Sequence, residues 1–302
     1  MTAVRTSSAE LAIRMECLLG EGPRWDAGDG SLIFVDVIPG KLHRLRGGRE
    51  AEPESSLVRT TQLDQPLGAA NPVVGGSLVL AMRDGIYLSD ADGGQPRLLV
   101  AVEADRPANR MNDAACDPQG RLWAGTMSFE AEPGEGTLYR IDPGGSATAI
   151  IGGLTISNGL GWSPDGRRMY FIDSPTRRID VLDFDAEDGT VHARRCFLDV
   201  SDVAGVPDGL AMDTDGGIWV AFWGGAQVRR YGHDAVLTDI VQVPVPQPTA
   251  CAFGGPDGQD LYITSARLGL DLAELQAAEL SGSLFVCRPG YQGSAARAFG
   301  SG

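Results

Sequence analysis

Short apolar runs alternate with glycine-rich turns along most of the chain, and within the runs apolar and polar residues often alternate singly. That pattern predicts antiparallel β-strands joined by tight turns. Helical spacing is confined to LGLDLAELQAAEL, residues 268–280, which is expected to form one or two turns inside a connection. The strands recur as a unit: a turn, a short strand, a D-x-x-G turn, then a second strand rich in aromatics. Copies begin at NDAACDPQGRLWAGTM (112), NGLGWSPDGRRMYFIDS (158), PDGLAMDTDGGIWVAFW (207) and PTACAFGGPDGQDLYITSA (248), with spacings of 46, 49 and 41 residues. GEGPRWDAGDGSLIFVDV (20) is a further copy, and NPVVGGSLVLAMRDGIYLSD (71) a weaker one.

A repeat of this length with about four strands is a propeller blade, and six copies fill the chain. The fold class expected is therefore all-β, a six-bladed β-propeller forming a single domain over residues 1–302. The segment AIRMECLL, near the N-terminus, is expected to supply an outer strand that closes the ring against the last blade. A pair of sandwiches, the rival all-β arrangement, leaves the recurrence of one D-x-x-G pattern unexplained.

Composition narrows the function classes. Glycine, 41 residues with 18 prolines and no collagen period, agrees with many turns. Forty acidic against 25 basic side chains give a net charge of −15, which leaves no cationic footprint for nucleic acid or an anionic membrane. No apolar run approaches the roughly 20 residues that span a bilayer, and MTAVRTSSAELAIRM has no apolar core of a secretory signal. Five scattered cysteines without CxxC, four of them with apolar neighbours or in strand-like context, read as buried free thiols in a cytoplasmic protein. GxSxG, GxGxxG and GxxxxGK[ST] do not occur, so a serine-hydrolase elbow and nucleotide phosphate binding are not indicated. His43, His192 and His233 are read as surface residues of outer strands or hairpins, which leaves no histidine-based general base.

Candidate chemistry lies at the starts of the repeats, which a propeller brings to a central channel. Glu21, Asn112, Asn158 and Asp208 each precede a strand there. Taken singly, Asn158-Gly159 and Asp208-Gly209 are turn formers, with the glycine serving the turn. Glu21 fits that reading badly, because glutamate is a poor turn former. Together, two carboxylates and two amide oxygens make an oxygen-rich set suited to a divalent cation. Without a cation the two carboxylates would repel, and one would hold a proton. Arg110 and Asn112 are two residues apart and face the same side of an extended segment, suiting an oxygen-rich ligand. Glu130, in a glycine- and proline-containing loop, is either a hydroxyl-binding carboxylate or an ordinary surface acid.

LGEGPRW, NRMNDAACDPQGRLWAGTM, SNGLGWSPDGRRMYFIDS, PDGLAMDTDGGIWVAFWGGAQVRRY and PTACAFGGPDGQDLYITSA occur in this order over residues 18–290. In these motifs the chain resembles the senescence marker protein/regucalcin/gluconolactonase-like family, which includes bacterial sugar lactonases. The resemblance implies one divalent cation (Ca²⁺, Zn²⁺, Mn²⁺, Mg²⁺ or Fe²⁺) held by Glu21, Asn158 and Asp208, with Asn112 beside it. Arg110, Asn112 and Glu130 are implied to bind substrate, and Asp208 to accept a proton from attacking water. The implied reaction is hydrolysis of a small-molecule sugar aldonolactone, with the cation polarising the carbonyl or a bound water. Hydrolysis of phosphotriesters or other lactones on the same metal is the alternative within enzymes. A non-catalytic metal- or carbohydrate-binding propeller is the alternative outside them. Ala114 stands where the family often has glycine, a departure that bears on substrate preference. A monomer or weak homo-oligomer is expected.

Overall fold

The second strand of each repeat reads as an unbroken apolar run because it is covered on both faces. Ser31–Asp36, Leu78–Met82, Leu122–Ser128 and Asp260–Ser265 are buried at every position. The computed structural model describes residues 3–46, 57–294 and 296–301. They form six sheets arranged as the blades of a β-propeller. In four of them the strands run from the channel outward in chain order, and in the other two an N-terminal strand is added outermost. The innermost strands are Gly20–Asp26, Leu67–Pro72, Asn109–Cys116, Ser157–Trp162, Val206–Met212 and Pro248–Gly254. Outermost strands such as Thr190–Asp199 have no buried position.

Closure of the ring comes from Glu10–Ile13, which pairs antiparallel with Leu284–Cys287 and completes the sixth blade. This strand begins two residues ahead of the segment expected to form it. A further strand, Arg5–Ser8, pairs parallel with Leu237–Gln242 and gives the fifth blade a fifth strand. The short helix Leu272–Ala277 lies in the connection between Asp260–Ser265 and Leu284–Cys287, within the span expected for it. Its start is fixed by a capping box: Glu274 N–H donates to Asp271 and Asp271 N–H donates to Glu274. Among the described residues no helix is long and apolar enough to cross a membrane.

The aspartate of the D-x-x-G turn has a structural cause. Asp117 accepts from the backbone N–H groups of Gln119 and Arg121, from Arg121 Nε at 2.6 Å and from the Trp123 indole at 3.1 Å. Asp213 repeats the arrangement with Asp215, Gly217, Arg230 and Trp219. One carboxylate thus closes the turn and satisfies the indole of the following strand, which lets Trp123 and Trp219 be fully buried. Between the third and fourth blades, Trp123 meets Trp162 and Phe184 edge-on at 6.1 and 5.9 Å.

Two readings of single residues change. His43 is buried rather than on the surface, since its strand Lys41–Arg46 is covered on both sides. Its ring lies against Phe34 at a 30° tilt and hydrogen-bonds Thr60 at 2.9 Å, and burial, with Lys41 nearby, pushes its pKa down to about 4. His192 and His233 lie at blade edges. All five cysteines are free; Cys196 is exposed rather than buried as expected, and the other four are buried.

Candidate metal and substrate site

Each of the six innermost strands carries a β-bulge in the same place, one to three residues into its pairing with the second strand. The breaks fall between Glu21 and Arg24, Leu67 and Ala69, Met111 and Ala114, Asn158 and Leu160, Pro207 and Leu210, and Pro248 and Cys251. A bulge bends its strand and re-aims the side chains beside it. The equivalent positions, reading round the ring, are Glu21, Gly68, Asn112, Asn158, Asp208 and Thr249, and they surround one end of the channel, here called its upper mouth. The weak repeat copy is thereby re-registered: Asn71 lies near the end of its strand, and Gly68 is the true counterpart of Asp208.

The same geometry corrects the reading of the glycines. Asn158-Gly159 and Asp208-Gly209 are inside strands, not turns, and neither glycine needs a positive φ. A Cβ on Gly159 would lie 2.7 Å from Asp208 O, and one on Gly209 would lie 2.4 Å from the Cβ of Ala250. These glycines let neighbouring inner strands close up, so that the residues preceding them meet across the channel.

Four polar side chains form one chain of hydrogen bonds at the upper mouth. Arg110 Nη1 donates to Asn112 Oδ1 at 2.7 Å, Asn112 Nδ2 donates to Asn158 Oδ1 at 2.9 Å, and Asn158 Nδ2 donates to Ser174 Oγ at 2.9 Å. All four are buried. The relay orients both amides, and it brings in Ser174, which sequence reasoning missed; it belongs to the turn after Arg168–Asp173 and has no motif of its own. Below, Arg24 pairs with Asp113 at 3.2 Å and donates to Asn71 Oδ1 and to the carbonyl of Ala114. Asn71 also donates to that carbonyl, so this polar layer forms a floor to the site.

The electrostatics are dominated by crowded acids. Burial, then the nearby Asp113 carboxylate, pushes the Glu21 carboxyl up to about 8. Burial, then Glu21 and Asp113, holds the Asp208 carboxyl well above the usual carboxylate range. Arg110 is drawn down to about 10 by burial, against the pull of Glu21 and Asp208. Asp208 Oδ1 is buried without a hydrogen-bond partner among the described residues, and so is Arg110 Nε. An orphaned carboxylate oxygen in a protein interior costs free energy unless something compensates its charge. The donor set of Glu21, Asn158 and Asp208 fits a divalent cation: hard oxygens, two formal negative charges, and one oxygen with no other partner. It is not a thiol or imidazole site, and among the described residues no three His, Cys, Asp or Glu side chains gather as a ligand group. Glu130 is not brought into this cluster. It is exposed in the turn after Leu122–Ser128, at the end of the blade where Ser128 pairs with Asn109.

A family described as the SMP-30/gluconolactonase/LRE-like region matches residues 19–267. Regucalcin of Xenopus laevis is 33% identical over 95% of this chain and 99% of its own length. The 6-deoxy-6-sulfogluconolactonase of Pseudomonas putida is 36% identical over 94% of this chain and 95% of its own. The crystal structure of a calcium-binding regucalcin from Agrobacterium tumefaciens superposes with a TM-score of 0.92 at 31% identity, covering 99% of both chains. On sequence and fold together, the chain belongs to the SMP-30/gluconolactonase/LRE-like family.

Proposed function

We propose that this protein is a metal-dependent lactonase that hydrolyses a sugar aldonolactone, of the gluconolactone or pentonolactone type, to the aldonic acid. The observation that carries the reading is the convergence of Glu21, Asn112, Asn158 and Asp208 at one mouth, with Asp208 Oδ1 left without a partner. The lactonase named among the relatives supports the substrate class. The free thiols agree with a reducing, cytoplasmic compartment.

Glu21, Asn158 and Asp208 would hold the cation, which when bound supplies Lewis-acid polarisation to the reacting oxygens. Asp208, ionised once a cation compensates its charge, would accept a proton from attacking water. The water oxygen bonds the carbonyl carbon, the ring C–O bond breaks, and the proton passes to the departing ring oxygen. The new carboxyl then ionises and acidifies the medium. Arg110 would present donors to substrate hydroxyls and Asn112 would offer its Oδ1 as an acceptor, since both Asn112 Nδ2 protons are given to Asn158 Oδ1 and the carbonyl of Ser157. Glu130 would accept from a hydroxyl at the rim. Three protein side chains, each giving one oxygen, leave half or more of the six to eight oxygen positions of a hard cation open. That favours a reactive site over a purely binding one, and the polar lining of the mouth favours a sugar over an apolar ester or phosphotriester.

Proton release from a panel of aldonolactones, followed with a pH indicator and corrected for spontaneous opening, tests the reading. Faster-than-background hydrolysis of none of them would overturn it. Metal titration by calorimetry gives two further expectations. Glu21→Gln should weaken cation binding on the order of a hundredfold, because one of two ligand charges is lost. Ser174→Ala should weaken it about tenfold, by freeing the Asn158 amide, while Ser174→Thr retains affinity. Unchanged affinity in Ser174→Ala would remove Ser174 from the positioning of Asn158.

A further inference from the structure

The innermost strands make a second ring at the other end of the channel. Four residues beyond each upper-mouth position stand Trp25, Pro72, Cys116, Trp162, Met212 and Phe253. Each pairs with an apolar residue at the start of the second strand, Leu32, Leu78, Leu122, Met169, Ile218 and Leu261, so the six are equivalent by register. One residue before them the channel-lining side chains are Arg24 and Asn71 in two blades, but Ala115, Gly161, Ala211 and Ala252 in the other four. The large side chains at the ring and the small ones behind it leave a cavity of about 560 Å³. Ligand pockets commonly run from about 300 to 1,000 Å³.

Two features separate this cavity from the upper site and give it a chemistry. The layer of Arg24, Asn71 and the Ala114 carbonyl stands between the two mouths. Described residues of the C-terminal segment, Ser294 and residues 296–301, are tied down on both sides of the lower mouth. Ser294 N–H donates to Met212 O at 3.0 Å on one side, and Phe299 N–H to Pro72 O at 2.8 Å on the other. From this segment Arg297 reaches the cavity lining, exposed and with no ion pair among the described residues. The other lining guanidinium, Arg24, is already matched by Asp113. Asp165, on the lip, is engaged by Ser163 Oγ at 2.6 Å and by the N–H of Arg167.

We propose that the lower cavity is a second ligand site, taking a small planar aromatic monocarboxylate. Its rings pack against Trp25, Trp162, Met212 and Phe253, and its carboxylate meets Arg297. Aromatic and thioether walls suit a flat apolar body, and an uncompensated guanidinium suits a carboxylate. A dianion is disfavoured by the chain's net charge of −15.

The test is equilibrium binding of 2-naphthoate to the full chain, followed by calorimetry and by tryptophan fluorescence. Saturable binding of one molecule per chain is expected, unchanged by chelator and unchanged in Asp208→Asn, since the upper mouth takes no part. Ala211→Trp fills the cavity and should abolish binding while lactone hydrolysis persists; Ala115→Phe, from another blade, tests the same volume if Ala211→Trp does not fold. Arg297→Ala should weaken 2-naphthoate about tenfold, and neutral 2-naphthamide should bind the unaltered protein about tenfold more weakly than 2-naphthoate, as loss of one charge-assisted contact requires. No saturable binding, binding indifferent to both cavity-filling variants, or equal affinity for the amide and the carboxylate would each overturn the proposal.

Discussion

Replacing Asp208 by asparagine should lower turnover of a glucono-lactone about a thousandfold or more, with the same cation supplied to variant and unaltered protein. The exchange keeps the shape of the side chain and removes both things the account asks of it: a ligand charge and a proton acceptor. Asp208 is buried, its Oδ1 has no partner, and its neighbours Glu21 and Asp113 are acids. A residue kept only for folding would not be placed so. Stability separates the two roles. In chelator, Asp208→Asn should melt at the same temperature as the unaltered protein or higher, because a neutral amide relieves like-charge crowding. A variant that loses activity together with several degrees of melting temperature would point to a structural role. One that keeps activity would remove Asp208 from the reaction.

The second large effect is on the fold. Asp213→Ala should destabilise the protein by about 3–5 kcal/mol, the cost of leaving a buried ionic partner uncompensated. Asp213 is fully buried and accepts from Arg230 Nε at 2.6 Å, Trp219 Nε1 at 2.9 Å and Gly217 N at 2.7 Å. Arg230, itself buried, then keeps among the described residues its hydrogen bond to Thr238 Oγ1, the face of Tyr291 and the more distant charge of Asp239. Against a total stability of about 5–15 kcal/mol this is a large fraction, and calorimetry should show the melting temperature falling by about 10 °C. A fall of less than about 2 °C would mean that the turn aspartate is dispensable.

That aspartate explains why the architecture was legible in the sequence. D-x-x-G recurs because one carboxylate does the same work in the third and fifth blades, for Trp123 in one and Trp219 in the other. The polar residues of the upper mouth were legible for the same reason, as each precedes a repeated strand. The glycines beside them were not. Gly159 and Gly209 look like turn residues locally, but what demands them is the backbone of a strand about 40–50 residues away. Ser174 escaped notice because its role consists of one hydrogen bond to Asn158. Arg5–Ser8 escaped because RTSS has no apolar face, and its place comes from backbone pairing with Leu237–Gln242. His43 was misplaced because its burial depends on Phe34 and Thr60, from the strands on either side. The lower cavity needed both the small residues of four blades and the anchoring of the C-terminal segment on both sides of them.

The most direct test of the central claim is hydrolysis of D-glucono-1,5-lactone by chelator-stripped protein, before and after a single divalent cation is restored. The account predicts a stripped rate at the spontaneous background and recovery on adding cation to the unaltered protein, with no recovery in Asp208→Asn. Hydrolysis by the stripped protein at the full rate would contradict it.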